Sequence, residues 1–152
     1  MKIKDWIRYL IYSVLICFSI VIRGYVGNVY TAYFKQELRV NYKYLIISVL
    51  IGICIGMILG LEHLLKEIKK EGTWKINFPK LIFLGIPSLY CTLGFILIYS
   101  GIEFLQNIIT YPLFYLYRYI SNSVPIFELI FGYVIVTSLY KVSEKKHDTM
   151  PK

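Results

Sequence analysis

The chain has 152 residues, enough for one domain, and 57% of them are hydrophobic, with a mean hydropathy of +0.60. The hydrophobic residues form long blocks without the polar stripe that a helix of a soluble protein carries, which excludes an ordinary soluble globule. The net charge of +8 lies in short segments between these blocks, with no nucleic-acid-binding module behind it, so we expect no nucleic-acid partner.

Four apolar blocks each approach the roughly 20 residues that are needed to span hydrocarbon. The first block follows a basic segment, as in a secretory signal, but no small-x-small cleavage site follows it, so we predict a retained helix. The fold class predicted is an all-α integral membrane protein, and the first expected partner is the lipid bilayer. Its four transmembrane helices are predicted at about 6–23, 44–65, 80–100 and 124–140.

Lysine and arginine are divided unequally between the two sides that this topology defines. The N-terminus, the loop between the second and third helices and the C-terminal tail hold 12 of the 17, and the opposite side holds 5. The positive-inside rule therefore predicts a multi-pass protein of the cytoplasmic membrane with both termini in the cytoplasm. The richness in lysine, isoleucine and tyrosine suggests an AT-rich bacterial genome.

The first helix begins with an aromatic anchor at the inner interface, formed by Trp6, Tyr9 and Tyr12. Arg23 is taken to mark its outer end. The following residues, 24–43, contain many tyrosines, and we predict an outer loop that lies against the membrane interface.

The second helix carries a stripe of small residues at every fourth position, which brings them onto one helix face and lets another backbone approach closely. Two roles are open for it: self-association of two copies, or packing within the chain, which we favour because three partner helices are already present. The stripe consists of Ser48, Gly52, Gly56 and Gly60.

The same helix is predicted to continue into the cytoplasm as an amphipathic extension at about 62–71. Leucines and isoleucines recur there at helical spacing, with Glu62 and Lys66 paired on the other side. This extension is expected to lie on the membrane, and docking of a partner is the alternative.

Pro87 interrupts the third apolar block and removes one backbone hydrogen bond, so a kink is predicted there. Residues 101–123 are too apolar for an ordinary loop, and we predict an additional interfacial or re-entrant segment between helices three and four. Glu103 and Arg118 bracket this segment.

Glu128 is the main candidate for a functional site, because an acid inside a spanning segment is costly. Counted from Val124, it lies about one turn, roughly 6 Å, from the outer end of the fourth helix. It is predicted either to belong to a ligand or ion pathway with Glu103 and Arg118, or to be a carboxylate near a helix N-terminus that pairs with Arg118 or Arg23.

The sequence contains no pattern of catalytic or metal-ligating residues that points to an enzyme or to a cofactor. Cys17, Cys54 and Cys91 are each near the centre of a block, but without a CxxC motif we predict buried apolar residues and no metal. The predicted function is that of a non-enzymatic subunit or scaffold, which packs with other membrane protein subunits or with itself. The alternative is a homo-oligomeric transporter or channel that uses Glu128 and the outer polar cluster.

Overall fold

The structure is a computed structural model that describes residues 3–38, 40–98, 104, 113 and 124–142. The segment 101–123, predicted to be interfacial or re-entrant, lies outside the described residues except for two positions. The described chain is mostly helical. Its elements are α1 (Ile3–Glu37), α2 (Tyr42–Ile68), β1 (Thr73–Ile76), α3 (Phe78–Lys80), a π-helical segment (Leu81–Gly85), α4 (Ile86–Ile98), α5 (Val124–Thr137) and β2 (Leu139–Val142).

Two of these helices, α1 and α2, are long and apolar enough to cross a membrane. At 1.5 Å per residue α1 is about 52 Å long and α2 about 40 Å, against a hydrocarbon core of about 30 Å. The segment Phe78–Gly94 and helix α5 are apolar but shorter. The helical character is thereby confirmed, while the membrane and the count of four crossings stay predictions.

The predicted end of the first helix at Arg23 is wrong, and so is the predicted outer loop at 24–43. Helix α1 continues to Glu37 and ends at Leu38, whose φ of 52° is in the left-handed region. The reason is local: the segment contains no proline, and its two glycines, Gly24 and Gly27, each stand between residues with side chains. Tyr30 stacks on Phe34 one turn later, with ring centroids 6.4 Å apart.

Helix α2 agrees with its predicted bounds to within three residues. Asn41 caps it by accepting a hydrogen bond from the Lys43 backbone N–H, and the helix runs without a break into the predicted extension. Gly72, with a φ of 142°, then turns the chain into β1. The helical part of the predicted extension therefore ends at Ile68, and the chain continues into strand β1 at Thr73.

At Pro87 the structure has a π-helical turn immediately upstream, at Leu81–Gly85, where the Ile86 backbone N–H donates to the Leu81 carbonyl. Pro87 has no backbone N–H to donate, and the wider π-helical turn accommodates the hydrogen bond that is missing there. The Ser88 hydroxyl also donates to the Leu84 carbonyl oxygen at 2.6 Å.

The predicted all-α architecture needs one correction, since β1 and β2 form a two-stranded antiparallel sheet that pairs Thr73 with Val142 and Ile76 with Leu139. The fourth helix accordingly ends at Thr137 and not at residue 140. At this end the hydroxyls of Thr137 and Ser138 donate to the Tyr133 and Val134 carbonyl oxygens. The pairing joins segments more than sixty residues apart, which local sequence does not reveal.

The helices form a row in which α1 packs on α2, α2 on α5, and α5 on α4. Along α2, Gly52, Gly56 and Gly60 lie beside successive residues of α5, from Glu128 to Val136, so these two helices are parallel. The buried side chains belong mainly to α2, α4 and α5, whereas the apolar window of α1 contains no buried residue. The start of α1, the end of α2 and the sheet share one end of the molecule, which we call the sheet end.

Candidate functional site: a buried ion pair at a glycine crossing

Helices α2 and α5 cross in direct backbone contact. A Cβ atom on Gly56 would collide with the Leu129 carbonyl, and one on Gly132 would collide with the Ile53 carbonyl. One turn further on, a Cβ on Gly60 would lie 3.0 Å from the Val136 Cβ. The glycines of the predicted stripe thus face α5 of the same chain.

At one edge of this crossing, Arg23 of α1 reaches Glu128 of α5. The Arg23 Nη1 lies 2.6 Å from the Glu128 Oε2, and Glu128 is 2% exposed. The contact is an ion pair between two oppositely charged side chains. Gly52 lies between the two side chains, where a Cβ would collide with both. Gly52 therefore makes the room in which the pair forms.

The ion pair lies halfway along the apolar parts of the helices. Gly52 is the ninth of the 18 residues in the charge-free stretch 44–61 of α2, and Arg23 separates two charge-free stretches of α1, 9–22 and 24–34. Arg23 therefore does not mark the outer end of a helix. Glu128 is near the start of its own helix, as counted, but its neighbours place it beside the middle of α2.

The sequence named both Arg23 and Arg118 as possible partners of Glu128, and the structure brings Arg23 to it. Arg118 and Glu103 lie outside the described residues, and so does the outer polar cluster that they were predicted to form. Sequence reasoning missed the role of Gly52 as a spacer, for which the only signal was its place in the stripe.

A small cavity of about 150 Å³ adjoins the ion pair. Arg23, Glu128 and Ser48 supply its polar lining, and Ser48 thereby differs from the three glycines of its stripe. The rest of the lining is apolar: Leu45, Val49, Val124 and Pro125.

The sheet end has a second buried acid, Glu67, which is 5% exposed. Its Oε2 accepts a hydrogen bond of 2.9 Å from the Lys141 backbone N–H, and its Oε1 pairs with Lys70. It lies beyond the charge-free stretch of α2. The Lys141 N–H first, and Lys70 second, hold the pKa of Glu67 below its ordinary value. The carboxylate thus ties β2 to the end of α2, a role that the sequence did not indicate.

The prediction that the three cysteines are buried holds for Cys91 and is wrong for Cys17 and Cys54, which are exposed. In the described ranges, no group of three or more His, Cys, Asp or Glu side chains could hold a metal ion.

The sequence matches no protein-family model, and no curated protein or solved structure is detectably similar to it.

Proposed function

We propose that this chain is a non-enzymatic polytopic membrane protein that acts as a subunit or scaffold. The observation that carries the proposal is the Arg23–Glu128 ion pair, in which two opposite charges neutralise each other at the meeting point of three helices. A charge pair closed in this way serves as an interhelical joint, and buried acids and bases in membranes commonly pair with one another.

The distribution of exposed apolar and basic residues supports the membrane setting. Helix α1 exposes large apolar side chains along its length, among them Val14, Phe18 and Val21. Among the described residues the opposite end of the molecule carries Lys35 and Lys43, and the sheet end carries many more cations. By the positive-inside rule the sheet end faces the cytoplasm. Its basic residues are Lys4, Arg8, Lys66, Lys69, Lys70, Lys75, Lys80 and Lys141.

The glycine stripe already packs inside the chain, so we favour assembly with other subunits over self-association of two copies through the stripe. Gly56 and Gly60 are covered by α5, so a second copy has no access to them. Helix α1, by contrast, packs on α2 by one face and leaves the others for lipid or for a helix of another subunit. Assembly with a different membrane polypeptide is therefore the function we favour.

Native mass spectrometry of the tagged full chain, extracted gently from the cells that make it, tests this proposal. We expect a second membrane polypeptide in a fixed ratio, which remains bound after exchange into a different detergent. A chain that leaves the membrane in carbonate washes would overturn the membrane setting. A homo-oligomer free of any other polypeptide would overturn the role as a subunit.

The cavity beside the ion pair favours a second candidate, a homo-oligomeric transporter or channel that uses Glu128. This candidate predicts that Glu128→Gln abolishes ion or substrate movement in liposomes while the fold is retained. Glu71→Gln, which changes an exposed acid at the sheet end, is the matched control and should leave any flux unchanged. If Glu128 is instead an interhelical joint, Glu128→Gln should lower thermal stability, and the wild-type protein should show no flux.

A further inference from the structure

The two-stranded sheet has one covered edge and one open edge. The covered edge belongs to β2, which lies against the end of α2. There the Lys141 backbone N–H donates to the Glu67 carboxylate, and the Leu139 carbonyl oxygen lies 3.3 Å from the Nε2 atom of His63. Two side chains of α2 thus stand where a third strand would pair. The other edge belongs to β1, whose four residues are all exposed.

The register of the sheet fixes the direction of the β1 backbone groups. In an antiparallel pair, residues that bond across to the partner strand alternate with residues whose N–H and C=O point away from it. Lys141 is of the second kind, because its N–H is directed to α2, and its cross-strand partner is Trp74. The backbone groups of Trp74 and Ile76 therefore point away from β2. Within the part of the chain that the structure describes, no hydrogen bond engages them.

The side chains of β1 place one charge between two apolar groups. Trp74 and Ile76 lie on the same face of the strand and are 47% and 45% exposed. Lys75 lies between them on the opposite face, is exposed, and takes part in none of the ion pairs of the described residues. The edge is therefore complementary to an extended segment in which an acidic residue stands between two apolar residues.

A second copy of the chain and a lipid molecule both fit this edge less well. In the symmetric antiparallel register that uses all the outward backbone groups, Trp74 pairs with Ile76 of the other copy, so that two Lys75 side chains face each other. Like charges directly opposite each other destabilise a sheet. An acyl chain has no donors or acceptors with which to match the N–H and C=O groups.

We propose that β1 binds an extended segment of a partner subunit as an additional strand, with an acidic side chain opposite Lys75 and apolar side chains beside Trp74 and Ile76. The inference rests on the proposed function as a subunit and names the kind of segment that the partner contributes. The backbone hydrogen bonds supply the affinity of such an added strand, and the side chains supply its specificity.

The fluorescence of Trp74 tests the site directly, in the full chain with Trp6→Phe, which leaves Trp74 as the only tryptophan. The protein in phosphatidylcholine nanodiscs is titrated with the peptide Thr-Val-Glu-Val-Thr or with Thr-Val-Lys-Val-Thr. We expect a blue shift of the emission as a valine packs beside the ring. The glutamate peptide should bind about fivefold more tightly, because it replaces a pair of like charges by a pair of opposite charges.

A charge reversal on the strand tests this preference. Lys75→Glu should make the lysine peptide the tighter ligand. Lys69→Glu is the matched control, since it makes the same change at an exposed lysine before the strand, and it should retain the preference of the wild type. Equal binding of the two peptides to the wild type would overturn the proposal.

A proline substitution tests the backbone contacts. Ile76→Pro removes an outward N–H and leaves the hydrogen bonds to β2 in place, and it should weaken binding of the glutamate peptide about fivefold. Ile76→Val keeps the N–H and should bind like the wild type. If these two variants bind alike, the peptide does not add to the sheet. Quenching of Trp74 by brominated lipid, without a response to either peptide, would place the strand on the membrane and refute the site.

Native mass spectrometry of the same variants separates this inference from the proposed function. A second membrane polypeptide should be lost from the Lys75→Glu protein and kept by the Lys69→Glu protein. If that polypeptide stays bound to the Lys75→Glu and Ile76→Pro proteins, the strand addition is wrong and the role as a subunit stands. If the peptides bind as expected and no second polypeptide accompanies the wild type, the role as a subunit is wrong and the edge remains a peptide-binding site.

Discussion

Helix α2 is bound on its two sides in different ways. Towards α5 it offers glycines, and the two backbones touch at Gly56 and Gly132. Towards α1 the contacts lie at separate points: the Tyr33 and Tyr44 rings pack together, the Arg23 guanidinium lies against Gly52, and the Tyr9 hydroxyl donates to Glu62. Between the last two points lies a groove lined by Ile16 and Cys17 of α1 and by Ile58 and Leu59 of α2.

This difference shows what fixes a helix pair in an apolar environment. Without a hydrophobic driving force between helices in lipid, association depends on close packing and on polar contacts. The α2–α5 pair relies on close packing along a continuous stripe. The α1–α2 pair relies on a few polar and aromatic contacts, so each of them carries a larger share of its stability.

The largest expected effect comes from the ion pair, because Arg23 and Glu128 join α1 to α5 across Gly52 of α2. Glu128→Ala leaves Arg23 without its partner, and we expect a loss of about 3–5 kcal/mol in the free energy of unfolding. Chemical denaturation in detergent, followed by circular dichroism, measures this loss.

The double variant Arg23→Met with Glu128→Met sharpens the result. Because no charge then remains unpaired, it should recover most of the stability that either single change removes. Additive losses in the double variant would mean that the two side chains do not act as a pair.

The next effect concerns the glycine crossing. Gly56→Ala introduces a methyl group where the Leu129 backbone lies, so the helices must separate. We expect a loss of about 1–3 kcal/mol, as in overpacked cores, measured as a lower midpoint of thermal unfolding.

Gly27→Ala is the matched control, since a Cβ on Gly27 has no atom within 4 Å. It should stabilise α1 by up to about 1 kcal/mol, because alanine is the better helix former. If the two substitutions have the same effect, the close approach of α2 and α5 is wrong.

The smallest effect concerns the sheet end and depends on pH. Since the folded state lowers the pKa of Glu67, its contribution to stability is present above the ordinary carboxyl pKa and is lost as the pH falls through the folded value. Glu67→Gln should therefore lower the unfolding midpoint at pH 7. The difference from the wild type should close as the pH falls below about 4.

Glu71→Gln, which changes an exposed acid four residues later, is the control for this titration. A gap between the Glu67→Gln protein and the wild type that stays constant from pH 7 to pH 3 would contradict the assigned role of the carboxylate.

Parts of the site were predictable and parts were not. Glu128 was identified because an acid in an apolar block is unusual, and the small-residue stripe because its spacing is regular. The depth of Glu128 was not predictable by counting along its own helix, since depth depends on which residue of α2 lies beside it. The continuation of α1 beyond Arg23 was missed because a charge was taken as a boundary, although no proline follows it before Glu37.

By itself the sequence determined the helical character, the apolar segments and the uneven distribution of basic residues, because these follow from composition and periodicity along the chain. Only the tertiary structure decided that Arg23 pairs with Glu128 over Gly52, and that Trp74 and its neighbours in β1 pair with β2. These contacts join residues dozens of positions apart. They depend on how the helices cross, and no local property of the chain encodes that.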